Sequence, residues 1–287
     1  MEHAQLPGLY RSADSLSLSY QKNFFLALFT HLAALVLAAA LSVLNSPTWW
    51  SAVLQVFALL TALTCSIYLA ACRPDKYWYA ARAVAESIKT MTWRYVSVAE
   101  PFDKADQLAR AEFRNKLKGL LEQNRQVASK LIDHLQDAPI SADMDQMRAG
   151  SLADRQQRYL DKRINDQLGW YAKKAKFNGT ASKVFFALLI TANVIGVVLA
   201  VLRIKFHAEP IWPTDIVIAI AACLLTWMQS KRFSELSTSY ALAAHEINFI
   251  RGKAGEVNSP ADFSLFVGDA ENAFSREHTQ WIARQDV

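Results

Sequence analysis

FFLALFTHLAALVLAAALSVL, residues 24–44, and WSAVLQVFALLTALTCSIYLAAC, residues 50–72, decide the fold: 21 and then 23 successive residues carry no formal charge. Each run matches the roughly 20 residues an α-helix needs to cross about 30 Å of hydrocarbon. Val184–Leu202 is a third block, of 19 uncharged residues. A fourth is interrupted near its start by Asp215, leaving Ile216–Met228, and it spans with the help of Ile211, Trp212 and Gln229. Spans are therefore expected at about 24–44, 50–72, 184–202 and 211–229. A chain of 287 residues that is 52% hydrophobic and 20% charged could bury its own core. The distribution excludes that reading, because a globular core intersperses apolar and charged residues at helical or strand period, whereas here the charges lie between and after the blocks.

The blocks pair into hairpins. Their short connections carry Pro47 with Trp49 and Trp50, and Pro210 with Trp212 and Pro213, residues that stop helices and anchor at membrane interfaces. A second apolar block follows the first after only five residues, so the first is expected to be a retained span and not a cleaved signal peptide. No cation separates the first two blocks and two (Arg203, Lys205) separate the last two, against 21 from Arg73 to Lys183. Cations beside spans stay on the cytoplasmic side, which puts both termini and the middle of the chain in the cytoplasm. The net charge of +5 then reflects orientation and contact with anionic lipid, and nucleic acid is not an expected partner. Cys65, Cys72 and Cys223 all fall in or beside spans, a pattern that implies neither a disulfide framework nor a zinc site.

Between the spans the polar segments read as helices. Trp78, Ala81, Ala85, Ile88, Thr92 and Tyr95 recur at alternating three- and four-residue steps, one stripe along a helix over 75–98. Arg82, Glu86 and Lys89 lie off that stripe at spacings where opposite charges meet. Phe233, Leu236, Tyr240, Ala243, Ile247 and Ile250 repeat the rhythm after the fourth span, which predicts a duplicated unit of hairpin plus trailing helix. Leu117, Leu121, Asn124, Ala128, Leu131 and Leu135 form a heptad-like seam that ends near Pro139. Helix resumes near Asp154, and unless Asn178-Gly179 breaks it, it runs into the third span past Lys173, Lys174 and Lys176. Ser259-Pro-Ala-Asp262 has the form of a capped helix start, after which Phe263, Val267, Ala270, Phe274 and Trp281 could face one bundle. The expected organisation is an N-terminal unit over 1–101, a helical connector over 102–153 and a C-terminal unit over 154–287.

Chemistry is sparse. Among nine glycines there is no phosphate loop, dinucleotide fingerprint or nucleophile elbow. His245-Glu246 begins like a zinc-protease helix, but Phe249 stands where the second histidine is needed. Glu277 and His278 are adjacent and so point about 100° apart on a helix. No enzyme activity, cofactor or metal is expected. Lys89, Trp93 and Arg94 form a basic and aromatic group that could grip a phosphate or nucleotide, although an aromatic core beside interfacial cations explains the same residues. Within the spans the polar residues His31, Gln55, Thr61, Thr64, Ser66 and Asn193 are candidates for a lumen or for interhelical hydrogen bonds. The absence of charge in mid-span argues against an ion-coupled transporter.

YWYAARAVAESIKTMTWRY (77–95), YLDKRINDQLGWY (159–171) and SREHTQW (275–281) together resemble the bacterial SLATT family, the SMODS- and SLOG-associating two-transmembrane effector domains, with two units in one chain. The resemblance implies an all-α integral membrane protein of the bacterial inner membrane, with four transmembrane helices and long cytoplasmic helices. It also implies a pore-forming effector in antiphage defence, triggered by a nucleotide second messenger or a nucleotide-sensing partner. The family brings no ligand residues to transfer. A homo-oligomeric pore or ion channel is the leading expectation. A non-conducting scaffold that recruits a cytoplasmic partner is the alternative, and an enzyme acting on lipid is a third, for which no acid, base or nucleophile cluster can be assembled.

Overall fold

The computed structural model describes residues 5–44, 48–206 and 211–283, with side chains to residue 275. Pro47, Pro210 and the side chains of Glu277, His278 and Trp281, singled out above, lie outside what is described. Among the described residues every regular element is helical: α1 (Gly8–Leu44), α2 (Trp49–Cys72), α3 (Pro74–Val96), α4 (Asp106–Gln123), α5 (Arg125–Ala128), α6 (Ala142–Arg148), α7 (Leu152–Tyr159), α8 (Asn165–Lys205), α9 (Thr214–Lys231), α10 (Phe233–Gly252) and α11 (Pro260–Ala283). A π-helical turn, Leu160–Ile164, joins α7 to α8, and a 3₁₀ turn, Lys253–Glu256, follows α10. Four stretches are long and apolar enough to cross a membrane: Gly8–Leu44, Trp49–Cys72, Leu152–Lys205 and Thr214–Glu256. The protein is an all-α, multi-pass membrane protein.

The chain divides into two compact units. One, here the apolar unit, comprises Lys22–Pro74 and Ala175–Thr238. Its buried apolar positions are mostly small or leucine, namely Leu28, Leu32, Ala34, Ala38, Ala58, Ala62 and Ala192, whereas Leu26, Phe29, Leu54, Phe57, Phe186, Val197 and many other large side chains face outward. That inversion suits lipid. Helices in hydrocarbon gain nothing by hiding leucine and associate instead through small residues that let backbones approach. Gly179 serves such an approach, since a Cβ there would stand 2.9 Å from Ser237 Oγ. The Ser237 hydroxyl donates to the Ala175 carbonyl at 3.0 Å, and α8 continues through Asn178-Gly179 unbroken.

The charged unit comprises Met1–Gln21, Asp75–Lys174 and Ser239–Val287 and has a conventional core. All six stripe positions of α3, Trp78, Ala81, Ala85, Ile88, Thr92 and Tyr95, are buried. Of these, Ala81, Ala85, Ile88 and Tyr95 belong to one core with Phe102, Phe113, Met144, Tyr159 and Ile164, and with Phe263, Val267, Ala270 and Phe274 of α11. The α11 start is a reciprocal cap: the Asp262 N–H donates to Ser259 Oγ at 3.1 Å and the Ser259 N–H to Asp262 Oδ2 at 3.1 Å. Arg148 is buried yet satisfied, donating to Asp106 Oδ1 (2.9 Å), the Tyr95 carbonyl (2.8 Å) and the Lys104 carbonyl (3.0 Å).

Helix α1 contains the first expected span and begins earlier, at Gly8, where Tyr10 and Ala13, with Leu6 just before, are buried in the charged unit. One expectation is corrected. The heptad seam is not one helix. Asn124 leaves helical geometry (φ −116°, ψ 42°) and α4 stops at Gln123. The Asn124 backbone N–H still donates to the Leu120 and Leu121 carbonyls at 3.2 Å, and its side-chain amide joins it on the Leu120 carbonyl at 2.9 Å, the local competition with the backbone that makes Asn a poor helix interior. Beyond the break Leu131 returns to the core at 3% exposure while Leu135 stands 72% exposed.

Candidate functional site

In the apolar unit the six polar span residues singled out above separate into two groups. His31 Nδ1 lies 3.0 Å from the Ala62 carbonyl and 3.2 Å from Ser66 Oγ. Through these contacts His31 and Ser66 form a polar clasp between α1 and α2. Gln55 Nε2 donates to the Ala38 carbonyl at 3.4 Å, a second clasp across the same pair. Unsatisfied polar groups in hydrocarbon cost several kcal/mol, and these contacts offset that cost within the hairpin. The other group faces outward. Thr61, Thr64 and Asn193 are exposed, and each donates to the carbonyl four residues back, Phe57 (2.8 Å), Leu60 (2.8 Å) and Leu189 (2.8 Å). Back-bonding satisfies the donor but leaves the Asn193 amide oxygen, a strong acceptor, on the outer face of a membrane helix.

In the charged unit Lys89, Trp93 and Arg94 do not form a common surface. Trp93 is 2% exposed and meets Tyr159 edge-on at 5.7 Å between ring centroids. Arg94 is occupied by α11, donating to Asn272 Oδ1 (2.7 Å) and the Gly268 carbonyl (3.1 Å), and by the Glu100 carbonyl (3.3 Å). Lys89 is half-buried. Burial lowers its pKa, Glu86 opposes that, and Arg163 and Arg82 add to it.

The residues that the spacing rules missed lie beside it. Arg163, in the π-helical turn, is 1% exposed and Glu271, on α11, is 0% exposed. Arg163 Nε donates to Glu271 Oε1 at 2.8 Å and Nη2 to Oε2 at 2.6 Å, a bidentate pair, while the Tyr159 hydroxyl donates to Oε1 at 2.9 Å. The guanidinium lies 4.6 Å from the Phe274 ring centroid. Among the described residues Nη1 has no hydrogen-bond partner. Burial opposes the Arg163 charge, but the Glu271 carboxylate outweighs it and the pKa rises. Burial and the same carboxylate push Tyr159 well up. Arg82 continues the network, 2.6 Å from Glu86 and 3.1 Å from Asp14. A signal existed in YLDKRINDQLGWY, where Tyr159 and Arg163 share a helix face, but the partner carboxylate is 108 residues away.

Comparison with protein families gives two matches. Residues 7–156 match the model described as SMODS and SLOG-associating 2TM effector domain 3. Residues 159–281 match the one described as SMODS and SLOG-associating 2TM effector domain 1. No curated protein matches the chain, and no solved structure does. The first match contains α1 to α6 and the second α8 to α10, so each carries one apolar hairpin with a trailing helix.

Proposed function

The chain belongs to the SLATT family of two-transmembrane effector domains, and from that premise we propose that this membrane effector acts by forming an ion-conducting pore from several copies of itself. The observation that carries the reading is the outward group, Thr61, Thr64 and Asn193. A residual acceptor on a lipid-facing surface is unfavourable, whereas on a face turned toward other copies it replaces part of an ion's hydration. Closed symmetry can then assemble a lumen that one pair of hairpins has little polar material to build. The pore sits in the bacterial inner membrane with both termini and residues 73–183 in the cytoplasm. It opens in antiphage defence when a nucleotide messenger or a nucleotide-sensing partner releases the cytoplasmic helices, and it acts without catalysis.

The test is current across planar bilayers holding purified protein, with candidate nucleotides on the cytoplasmic side. Thr64→Leu and Asn193→Leu are expected to reduce conductance, while Gln55→Leu, which removes a clasp inside the hairpin, lowers thermal stability with conductance per folded oligomer retained. A folded oligomer silent under every trigger, or a protein that stays monomeric in nanodiscs, rejects the pore. A second reading rests on Leu242 and Phe249, exposed at 65% and 72% seven residues apart on α10. They fit a non-conducting scaffold that recruits a protein partner. Silence in the bilayer together with partner capture abolished by Phe249→Ser would favour it.

A further inference from the structure

The break at Asn124 opens a groove of about 300 Å³ between the first turns of α3 and the 122–127 bend, at the small end of ligand sites, which run from about 300 to 1,000 Å³. Lys76 and Arg125 both line it, and among the described residues neither is held in an ion pair. The one carboxylate in the lining, Glu122, lies 3.9 Å from Lys118 on its own helix. The wall at Tyr77 carries more positive charge, because that ring stacks on Tyr20 at 5.1 Å and the Lys130 ammonium lies 4.9 Å from its centroid. Two lining cations therefore stand with a single, partly engaged carboxylate, and a third cation is held on the Tyr77 ring.

We propose that this groove binds a phosphate group, and that the phosphate belongs to an anionic phospholipid headgroup. Arginine and lysine supply the charge-assisted hydrogen bonds that phosphate accepts. The source follows from connectivity: Lys76 stands four residues beyond Cys72, the last residue of α2, so chain geometry keeps it within about 14 Å of the end of the span, close to the headgroup layer. Neutral lipid lacks the net charge that the cations require. The assignment does not depend on conduction, and a silent protein would bind as well as a conducting one.

The experiment is native mass spectrometry of the full chain in neutral detergent, titrated with phosphatidylglycerol, with phosphatidylcholine, or with phosphatidylglycerol in the presence of adenosine monophosphate as a soluble phosphate ester. Phosphatidylglycerol is expected to be retained over phosphatidylcholine, and the double variant Lys76→Gln/Arg125→Gln to weaken that retention by about tenfold or more. Arg114→Gln, which removes an exposed cation from α4 outside the groove, should leave it unchanged. Helicity and elution volume confirm the fold of each variant, and the single Lys76→Gln replaces the double if the latter unfolds. Retention that adenosine monophosphate does not displace supports the headgroup, whereas displacement keeps the phosphate site but reassigns it to a soluble ester. Equal retention by wild type and the groove variants, or equal retention of both lipids, overturns the proposal.

Discussion

Arg163 and Glu271 illustrate how a buried ion pair constrains a fold that it scarcely stabilises on balance. Each charge loses its water, and the bidentate contact with the Tyr159 hydroxyl roughly offsets that loss. Removing one partner is a different matter. Arg163→Met leaves the Glu271 carboxylate buried and uncompensated, and is expected to cost about 3–5 kcal/mol, read as a lower thermal midpoint in detergent. Glu271→Gln keeps an acceptor but leaves the buried Arg163 guanidinium without its counter-charge, and should cost a similar amount. Arg163→Met combined with Glu271→Leu should cost less than the two changes summed, because neither charge remains. The tyrosines give a pH test. Tyr10 and Tyr159 are pushed up chiefly by burial, and Tyr95 to about 12 by burial and its hydrogen bond to Asp145. A folded-state pKa above the unfolded value of 10.0 means that the contribution to stability is complete below pH 10 and lost as pH rises through the folded value. Phenolate absorbance should accordingly show these three of the nine tyrosines ionising late, with unfolding. A single transition near 10 covering all nine would contradict their burial. At this scale the sequence was least legible: Trp93 and Arg94 can be read as a ligand grip, although an aromatic core beside interfacial cations is the stronger reading, and their partners Tyr159, Asn272 and Gly268 are not visible from local spacing.

Elements were legible where one period persisted. The α3 stripe and the 263–274 positions of α11 are buried because three- and four-residue steps keep one face of a helix apolar. Reading failed where a tertiary contact overrode local pattern. Residues 8–23 carry no long apolar run, yet they are helical because Tyr10, Ala13 and Ser17 are buried. The seam fails at Asn124, which leaves helical geometry, and again after Ala128, where α5 ends, so that Leu131 lies inward and Leu135 outward in non-helical chain. It follows that Leu131→Asp acts on folding: a charge at a position 3% exposed should destabilise the charged unit by several kcal/mol. Leu135→Asp, at a site 72% exposed, should do almost nothing. Thermal melts of both variants together with mass measurement in nanodiscs check this, and an effect of Leu131→Asp on assembly alone would restore the seam as an intersubunit contact. Each hairpin also ends in the same device, since Arg73 (φ 43°) and Arg232 (φ 51°) cap α2 and α9 in the left-handed region. That parallel escaped a search for repeated residue patterns because it is written in backbone conformation.

For the whole molecule, four uncharged blocks and the asymmetry of cations sufficed to predict an all-α membrane protein, whereas the division into an apolar and a charged unit was not visible, since each draws on separated segments of the chain. The π-helical turn Leu160–Ile164 gives the chain one further property. A π turn is an α-helix with a surplus residue, its wider coil spending five residues on about the rotation and rise that four make in an α-helix. Excision of Lys162 therefore converts the turn to ordinary α-helix and leaves the 41 residues of α8 nearly in place, so that Gly179 still meets Ser237. Excision of Lys173, within α8 itself, has no surplus to absorb it and turns everything beyond by about 100° with a shift of about 1.5 Å. The first variant should melt near the parent chain and the second early, both keeping their helicity, and equal midpoints for the two would contradict this account. Each chain has lost one lysine; what differs is where the codon is missing, absorbed by the π turn in one case and re-aiming a membrane helix in the other.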